Sequence, residues 1–325
     1  MLCDQRRRST VIALAVLAAI PTVGAGTRGI PIVAYVANRD ASAERIAAFK
    51  RGLADRGYIE GTNIRIEYRY ASLDHEYDPA IADLVSLKVD VIVAGNAPAA
   101  VAAANATRTI PIVLAAVNDP VGLGVAESLE HPGRNVTGTT IYAPRLIADR
   151  VRMLKRIDPS LRRVAVLMNG NNKNNPAQVD LVRAAATEVG VEVEALDIRA
   201  PSDVEPAVSR AIALGAGAFL NCVDSFVNSQ RSSIARLAMQ AKRPTMLTDR
   251  EYVLSGGLMA IGVGHTEGYY RAAGYVDRIL HGADPAALPI ASPTTRTFSV
   301  SRSALAALRI TLPGEVNEAV TEWLP

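Results

Sequence analysis

Residues 30–38 read IPIVAYVAN and residues 162–170 read RRVAVLMNG, and both stretches open the same phrase. Each starts as a short apolar run, passes through a helical segment ending at a glycine (Gly57, Gly190), and leads into a second strand, NIRIEY at 63–68 and VEVEALDI at 191–198. The correspondence continues: DVIVAGN (90–96) pairs with GAFLNCVD (217–224), and TIPIVLAAVND (109–119) with KRPTMLTDRE (242–251). The offset stays at about 130 residues, larger than a solenoid repeat and close to the size of one domain. A duplicated strand–helix unit of this length predicts two lobes facing each other across a cleft.

The strand candidates VAYVA, VIVAG, IPIVLAA, VAVLM and AFLNC are continuous apolar runs, as expected of strands covered on both faces. Helical patterns lie between them at 43–56, 77–87, 98–107, 146–157, 176–189, 204–214 and 228–241. In the first, Ile46, Phe49 and Leu53 form one stripe and Gly57 ends the helix, with Lys50, Arg51 and Arg56 near its C-terminus. Strands alternating with such helices imply parallel sheets joined by right-handed crossovers. The expected class is therefore α/β, with two doubly wound parallel-sheet lobes joined by three hinge crossovers. Passages between lobes are expected at 135–142, 256–262 and 281–289, with a helix at 266–280 and an edge strand at 297–301. That divides the chain into an N-terminal lobe of 29–139 plus 263–285 and a C-terminal lobe of 140–262 plus 286–325, bending near 137–141 and 257–262.

The first 25 residues are a separate matter. Arg6, Arg7 and Arg8 precede an apolar run at 11–20, and small residues follow at 23–25, the layout of a secretory signal. The run is too short for a spanning helix, which needs about 20 apolar residues. An exported, periplasmic protein is expected, with a retained membrane anchor as the alternative. Of 35 Lys/Arg and 32 Asp/Glu, that segment holds three and one, so the mature balance is 32 to 31 and argues for no nucleic-acid partner. Cys3 leaves with the signal, and Cys222, in an apolar run, reads as a buried thiol without a disulfide partner.

Laid out in this way, the chain resembles the substrate-binding proteins of bacterial ABC transporters of the tryptophan/tyrosine-uptake type. The matching phrases are AFKRGLADRGYIEGTNIRIEYRYA (48–71), DVIVAG, TIPIVLAAVNDPVGLGVAESLEHPGRNVTG (109–138), YVLSGGLMAIG (252–262) and AAGYVDRILHGADPAALPI (272–290). The resemblance implies a type I periplasmic binding fold, no catalysis, no cofactor, and delivery of a small ligand by a monomer to a membrane permease. The ligand class it implies is an aromatic amino acid, and the low aromatic content of the chain, 5%, leaves another amino acid or a small carboxylate open. Three departures fall where ligand contacts would be. A loop commonly Gly-Thr-Pro reads Asn96-Ala97-Pro98, the first loop of the second lobe is expanded to 169–176, and the Tyr usual after GGLM is replaced near Ile261.

In open α/β sheets ligands lie outside the carboxyl ends of the strands. The repeat therefore nominates Asn38, Arg39, Gly95, Asn96, Ala97, Asn118, Asp119, Thr139 and Thr140 in one lobe, and Asn169, Asn171, Asp224, Ser225, Asp249 and Tyr252 in the other. Any one Asn, Asp or Ser here is more often a helix cap or a turn former. Convergence of amide and carboxylate groups at equivalent ends of both lobes is what favours a site. The helix expected after Gly95-Asn96-Ala97-Pro98 offers free backbone N–H groups to a carboxylate. Asp119, Asp224 and Asp249 are candidates for an ammonium, Arg39 for a carboxylate and Tyr252 for stacking.

Other constellations carry nothing. His75, His131, His265 and His281 show no metal spacing, and Asp74-His75-Glu76 reads as a solvated turn. There is no phosphate loop, no dinucleotide fingerprint in context and no nucleophile elbow. A regulator of the same fold would carry a DNA-binding motif ahead of residue 30, where a signal stands instead. An enzyme on paired α/β domains, with an unrecognised active site in the cleft, remains the alternative to a solute receptor.

Overall fold

The computed structural model describes residues 29–39 and 43–325. The proposed signal at 1–25 lies outside the described residues. In the first lobe five parallel strands, β1 (Ile32–Asn38), β2 (Arg65–Ala71), β3 (Val91–Ala94), β4 (Ile112–Val117) and β5 (Val136–Thr140), lie in the order β2-β1-β3-β4-β5. Successive residues feed opposite cores. Ala34, Val36, Ile92, Ala94, Ile112 and Leu114 pack with Tyr77, Ile81 and Leu84 on one face. Val33, Tyr35, Val91, Val93 and Val113 pack with Phe49, Leu53, Tyr269 and Val276 on the other. This two-sided burial is why the strands read as unbroken apolar runs instead of alternating ones.

The second lobe repeats the plan with β6 (Arg163–Met168), β7 (Glu192–Asp197), β8 (Ala218–Asn221), β9 (Met246–Leu247), β10 (Met259–Val263), β11 (Arg296–Ser301) and β12 (Glu322–Leu324). Two groups, β7-β6-β8 and β12-β11-β10-β9, are joined side by side by the parallel bridge between Phe219 and Thr245. Val164 and Val166 face the helices Pro144–Ile157 and Asn175–Glu188, whereas Ala165 and Leu167 face Val204–Ala213 and Arg231–Gln240. Cys222 is buried and free. Among the described residues no helix is long and apolar enough to cross a membrane.

Several expected passages prove to be strands. Residues 136–140 complete the first sheet as β5, so the chain leaves it only at Ile141, and 259–263 form β10, so the return falls at Gly264. The stretch 288–291 still runs beside β5, through Thr137 Oγ1 donating to the Leu288 carbonyl at 2.7 Å and the Thr139–Ala291 bridge. The expected edge strand at 297–301 is β11, antiparallel to β10 and itself covered by β12. The single helix expected at 228–241 is broken into Ser225–Ser229 and Arg231–Gln240, with the Ser229 hydroxyl turned back onto the Phe226 carbonyl at 2.7 Å.

The end of β4 has a bulge that shapes the cleft. The β4–β5 register slips between Leu114 and Val117, and Ala116 takes the left-handed conformation with φ 59°. Gly138 opposite lies so close that a Cβ there would meet the Leu114 carbonyl oxygen at 2.3 Å, so no other residue fits. The Ala116 N–H donates to Thr139 Oγ1 at 2.9 Å, and that hydroxyl lies 3.1 Å from the Gly268 carbonyl. Thr139→Val should leave the buried Ala116 N–H without its acceptor and lower the unfolding free energy by about 1–3 kcal/mol in a denaturant titration. An unchanged midpoint would show that the bulge does not depend on this hydroxyl.

Candidate functional site

The carboxyl ends of the two sheets meet across a cleft with an empty volume of about 1120 Å³, its open mouth included. From the first lobe the ends of β1 and β4 and the segments following β3 and β4 bring Asn38, Gly95, Asn96, Ala97, Ala116 and Asn118. From the second, the loops after β6, β8 and β9 bring Asn172, Asn174, Asp224, Ser225, Thr248 and Asp249. The joint between lobes and the helix after it supply an apolar wall of Ile141, Tyr142, Leu146 and Ile147, faced by Val223 and Val263.

Each loop is held by its own residues. Asn96 caps the helix Ala97–Ala106, accepting from the Ala99 N–H at 2.9 Å and donating Nδ2 to Tyr77 Oη at 2.7 Å. Pro98 follows in the first turn, which suits a helix start. Tyr269 Oη donates to the Gly95 carbonyl at 2.6 Å and pins that loop from below. Asp224 caps Ser225–Ser229 through the Val227 N–H at 2.8 Å and accepts from Asn172 Nδ2 at 2.7 Å. The amide oxygen of Asn228, in the cleft wall, is buried and has no hydrogen-bond partner among the described residues.

The lobes touch. Arg45, from the first-lobe helix Ala43–Ala54, pairs with Asp249 of the second lobe, and both side chains are largely buried. His265 Nδ1 lies 3.1 Å from the same carboxylate. At the surface Arg250 reaches Glu44 at 2.9 Å, and at another contact Asn174 Nδ2 donates to the Asp119 carbonyl at 3.2 Å. Burial alone would raise the Asp249 carboxyl, but His265, Arg45 and the Glu251 N–H outweigh it and hold it below the usual range. For His265 burial dominates and pulls the imidazole down from 6.5 to about 4, Asp249 opposing and Arg45 assisting. At neutral pH the cluster is an ion pair with a neutral imidazole beside it.

Of the residues nominated from sequence, Asn38, Gly95, Asn96, Ala97, Asn118, Asp224, Ser225 and Asp249 line the cleft. The others stand elsewhere. Arg39 is exposed and reaches back to the Tyr70 carbonyl at 3.4 Å. Asp119 caps the next turn through the Gly122 N–H at 3.0 Å. Thr139 and Thr140 are buried within β5, where Thr140 donates to the Val117 carbonyl at 2.6 Å. Asn169 stands behind Asp224, 3.5 Å from it, and accepts from the Asn171 N–H. Tyr252 is core, its oxygen accepting from Asn221 Nδ2 at 2.8 Å. Sequence reasoning passed over Arg45, Tyr142, Arg150, Arg231, His265 and Tyr269, all in the lining. Arg150 carried a signal: it continues the apolar helix stripe of Leu146 and Ile147 at i+3 and i+4 spacing.

Two lobes closing over a cleft of this kind define a solute-binding protein. The chain belongs to the ABC transporter substrate binding protein family, whose model matches residues 10–323. It is 31% identical over 261 residues to the tyrosine-binding protein of Clostridioides difficile, covering 80% of this chain and 75% of that one. It superposes with a TM-score of 0.85 on the ABC domain from Streptococcus pneumonia in complex with L-Trp, at 21% identity, over 91% of this chain and 100% of that one. On the ligand-free, open structure of a substrate-binding protein with adhesive properties from Clostridium difficile the score is 0.68 at 26% identity, over 91% and 99%. The contacts between the lobes, Arg45 with Asp249 and Asn174 with Asp119, make the arrangement described here a closed one.

His265 makes this arrangement acid-sensitive. A histidine whose folded pKa is depressed binds fewer protons than when released, so its contribution is complete above 6.5 and lost as pH falls toward 4. The loss approaches about 3 kcal/mol. Melting temperatures between pH 7.5 and 4.5 should fall more steeply for the wild type than for His265→Asn. Parallel curves would mean that the imidazole is not held neutral.

Proposed function

We propose that this protein is an exported receptor that closes on a small amino acid, an aromatic one foremost, and presents it to an ABC transporter permease. Family membership supports the transport role. The ligand class draws on the relatives, one titled tyrosine-binding and another bound to L-Trp, together with the chemistry of the cleft. Asp224 and the unpartnered Asn228 oxygen offer acceptors suited to an ammonium, and Tyr142, Leu146, Ile147, Val223 and Val263 offer an apolar bed for a side chain. The observation that carries the reading is that buried Asn228 oxygen beside Asp224, because a donor is what it lacks.

The periplasmic location rests on the signal-like segment at 1–25 and on the family. The protein is read as a monomer that binds without turnover, and no observation favours the enzyme alternative. Lobe boundaries are moved from those expected to follow β5, β10 and the stretch beside β5, giving 29–140 plus 264–291 and 141–263 plus 292–325, with flexing centred near the joints at 141–143, 264 and 292–295. Of the nominated residues that line the cleft, Asn38, Gly95, Ala97, Asn118, Asp224 and Ser225 are assigned to the ligand directly, and Asn96 and Asp249 to the loops that frame it. Arg39, Asp119, Thr139, Thr140, Asn169, Asn171 and Tyr252 are assigned supporting roles.

Isothermal titration with L-tyrosine, L-tryptophan and L-phenylalanine tests this reading. Micromolar affinity, about −8 kcal/mol, is expected for at least one of them. Asp224→Asn keeps an oxygen for the Val227 cap but removes the charge, and should weaken binding by about 1–3 kcal/mol. Absence of heat with all three amino acids would overturn the ligand class.

A further inference from the structure

The helix Pro144–Ile157 and its N-cap turn residues 143, 146, 147 and 150 toward the cleft. Three of the four are apolar and the fourth is Arg150, only 4% exposed. Its Nε donates to the Ile261 carbonyl at 2.8 Å. A guanidinium carries five N–H donors, and among the described residues no carboxylate pairs with this one. The adjacent acid, Asp149, stands 3.7 Å from Arg152 instead. Burial pulls the Arg150 guanidinium down to about 10, still far above neutrality, so it remains a cation. A buried charge without a counter-ion is costly, and the helix face would pack as well with Met or Leu.

The charges lining the cleft give the same answer. Arg45 and Asp249 neutralise each other and His265 is uncharged, which leaves Asp224 against Arg150 and Arg231. Arg231 donates Nη1 to the Asn228 carbonyl at 3.2 Å and has no carboxylate in reach among the described residues. Among the described residues lining the cleft, positive charges therefore exceed negative ones by one, and the most buried cation without a carboxylate is Arg150.

We propose that Arg150 receives the carboxylate of the ligand, so that the protein takes carboxylic acids and rejects the corresponding amines. This deepens the amino-acid reading above, on which it rests for the location of the site but not for the ammonium. A zwitterion would then lie with its carboxylate on Arg150 and its ammonium toward Asp224 and Asn228. Guanidinium and carboxylate suit each other as a bidentate pair, which an ammonium on the same stem cannot reproduce.

The test titrates wild type, Arg150→Met and Arg150→Lys with L-tyrosine, 3-(4-hydroxyphenyl)propanoate, benzoate and tyramine. Wild type should bind L-tyrosine at least 100-fold more tightly than tyramine. Arg150→Met should lose at least 100-fold for every acid that the wild type binds and leave tyramine unchanged. Arg150→Lys should fall between. The ligand-free Arg150→Met protein should melt no lower than the wild type, an effect opposite to that of removing a structural arginine. Should that variant not fold, Arg150→Lys decides, a selective loss of tenfold or more for the acids supporting the assignment and none overturning it. Equal binding of L-tyrosine to wild type and Arg150→Met overturns the assignment and leaves the amino-acid reading standing. Arg150-dependent binding of the propanoate or benzoate, with none of L-tyrosine, L-tryptophan or L-phenylalanine, supports the assignment and overturns the amino-acid reading. A wild type that binds none of these acids, the three amino acids included, overturns both.

Discussion

Closure brings Arg45 of one lobe against Asp249 of the other at the floor of the cleft, and the rest of the site is arranged around that contact. Two charges taken out of water lose much of their hydration, and their attraction offsets that loss only where geometry and extra hydrogen bonds are good. Here they are supplied. Asp249 also accepts the Glu251 N–H at 3.2 Å as the cap of Arg250–Leu254, and His265 completes its surroundings. Such a pair adds little net energy to closure but fixes its register, because any other docking of the lobes would leave a buried carboxylate facing nothing. The latch defines one closed geometry, and the remaining polar groups are positioned relative to it.

That division of labour explains why the polar atoms of the cleft fall into two sets. Asn96, Asp119 and Asp249 use their side chains on helix caps and turns, so they build the loops that form the walls. Asp224 does this too, through Val227, but shares the cleft with an amide oxygen of Asn228 that lacks a donor. Among the described residues Arg150 has no carboxylate paired with it. Groups satisfied within the protein shape the cavity, and the groups left wanting are the ones to which the proposed ligand contacts are assigned. The apolar wall between them contributes area without direction, as small-molecule sites generally do.

Much of this was readable from the chain. Duplicated phrases, unbroken apolar strands and glycine-terminated helices specify paired doubly wound sheets, because a strand buried on both faces cannot alternate. The loops at the strand ends follow from the same rule, which is why Asn96, Asp224 and Asp249 could be nominated. Residues such as Arg45, His265 and Tyr269 could not, since they lie on helices and reach the cleft only through packing between segments more than a hundred residues apart. Strand boundaries at β5 and β10 were missed for a related reason. Val136–Thr140 is rich in Thr and Gly, and its strand character comes from pairing with β4 and not from its own apolarity.

The bulge at Ala116 ties these observations to motion. A left-handed alanine is strained, and it persists because Thr139 accepts its N–H and Gly138 admits the close backbone approach. The same threonine lies beside the Gly268 carbonyl, in the helix His265–Leu280 that begins just past the second joint with His265 itself. One hydroxyl thus connects the strand end that forms the cleft floor to the helix that carries a member of the latch. Because that helix packs on the first sheet through Tyr269 and Val276, Ala116, Tyr269 and His265 travel with the first lobe as one body. Opening must then break contacts made by Asp249 and Asn174 across the gap while leaving the bulge intact. The backbone belongs to neither sheet in the short stretches at 141–143, 264 and 292–295, and the proposed flexing would fall there. A ligand held as proposed, by Asp224 and Arg150 from one lobe and by the loops of Asn38 and Asn96 from the other, would bridge the gap and add its binding energy to the latch.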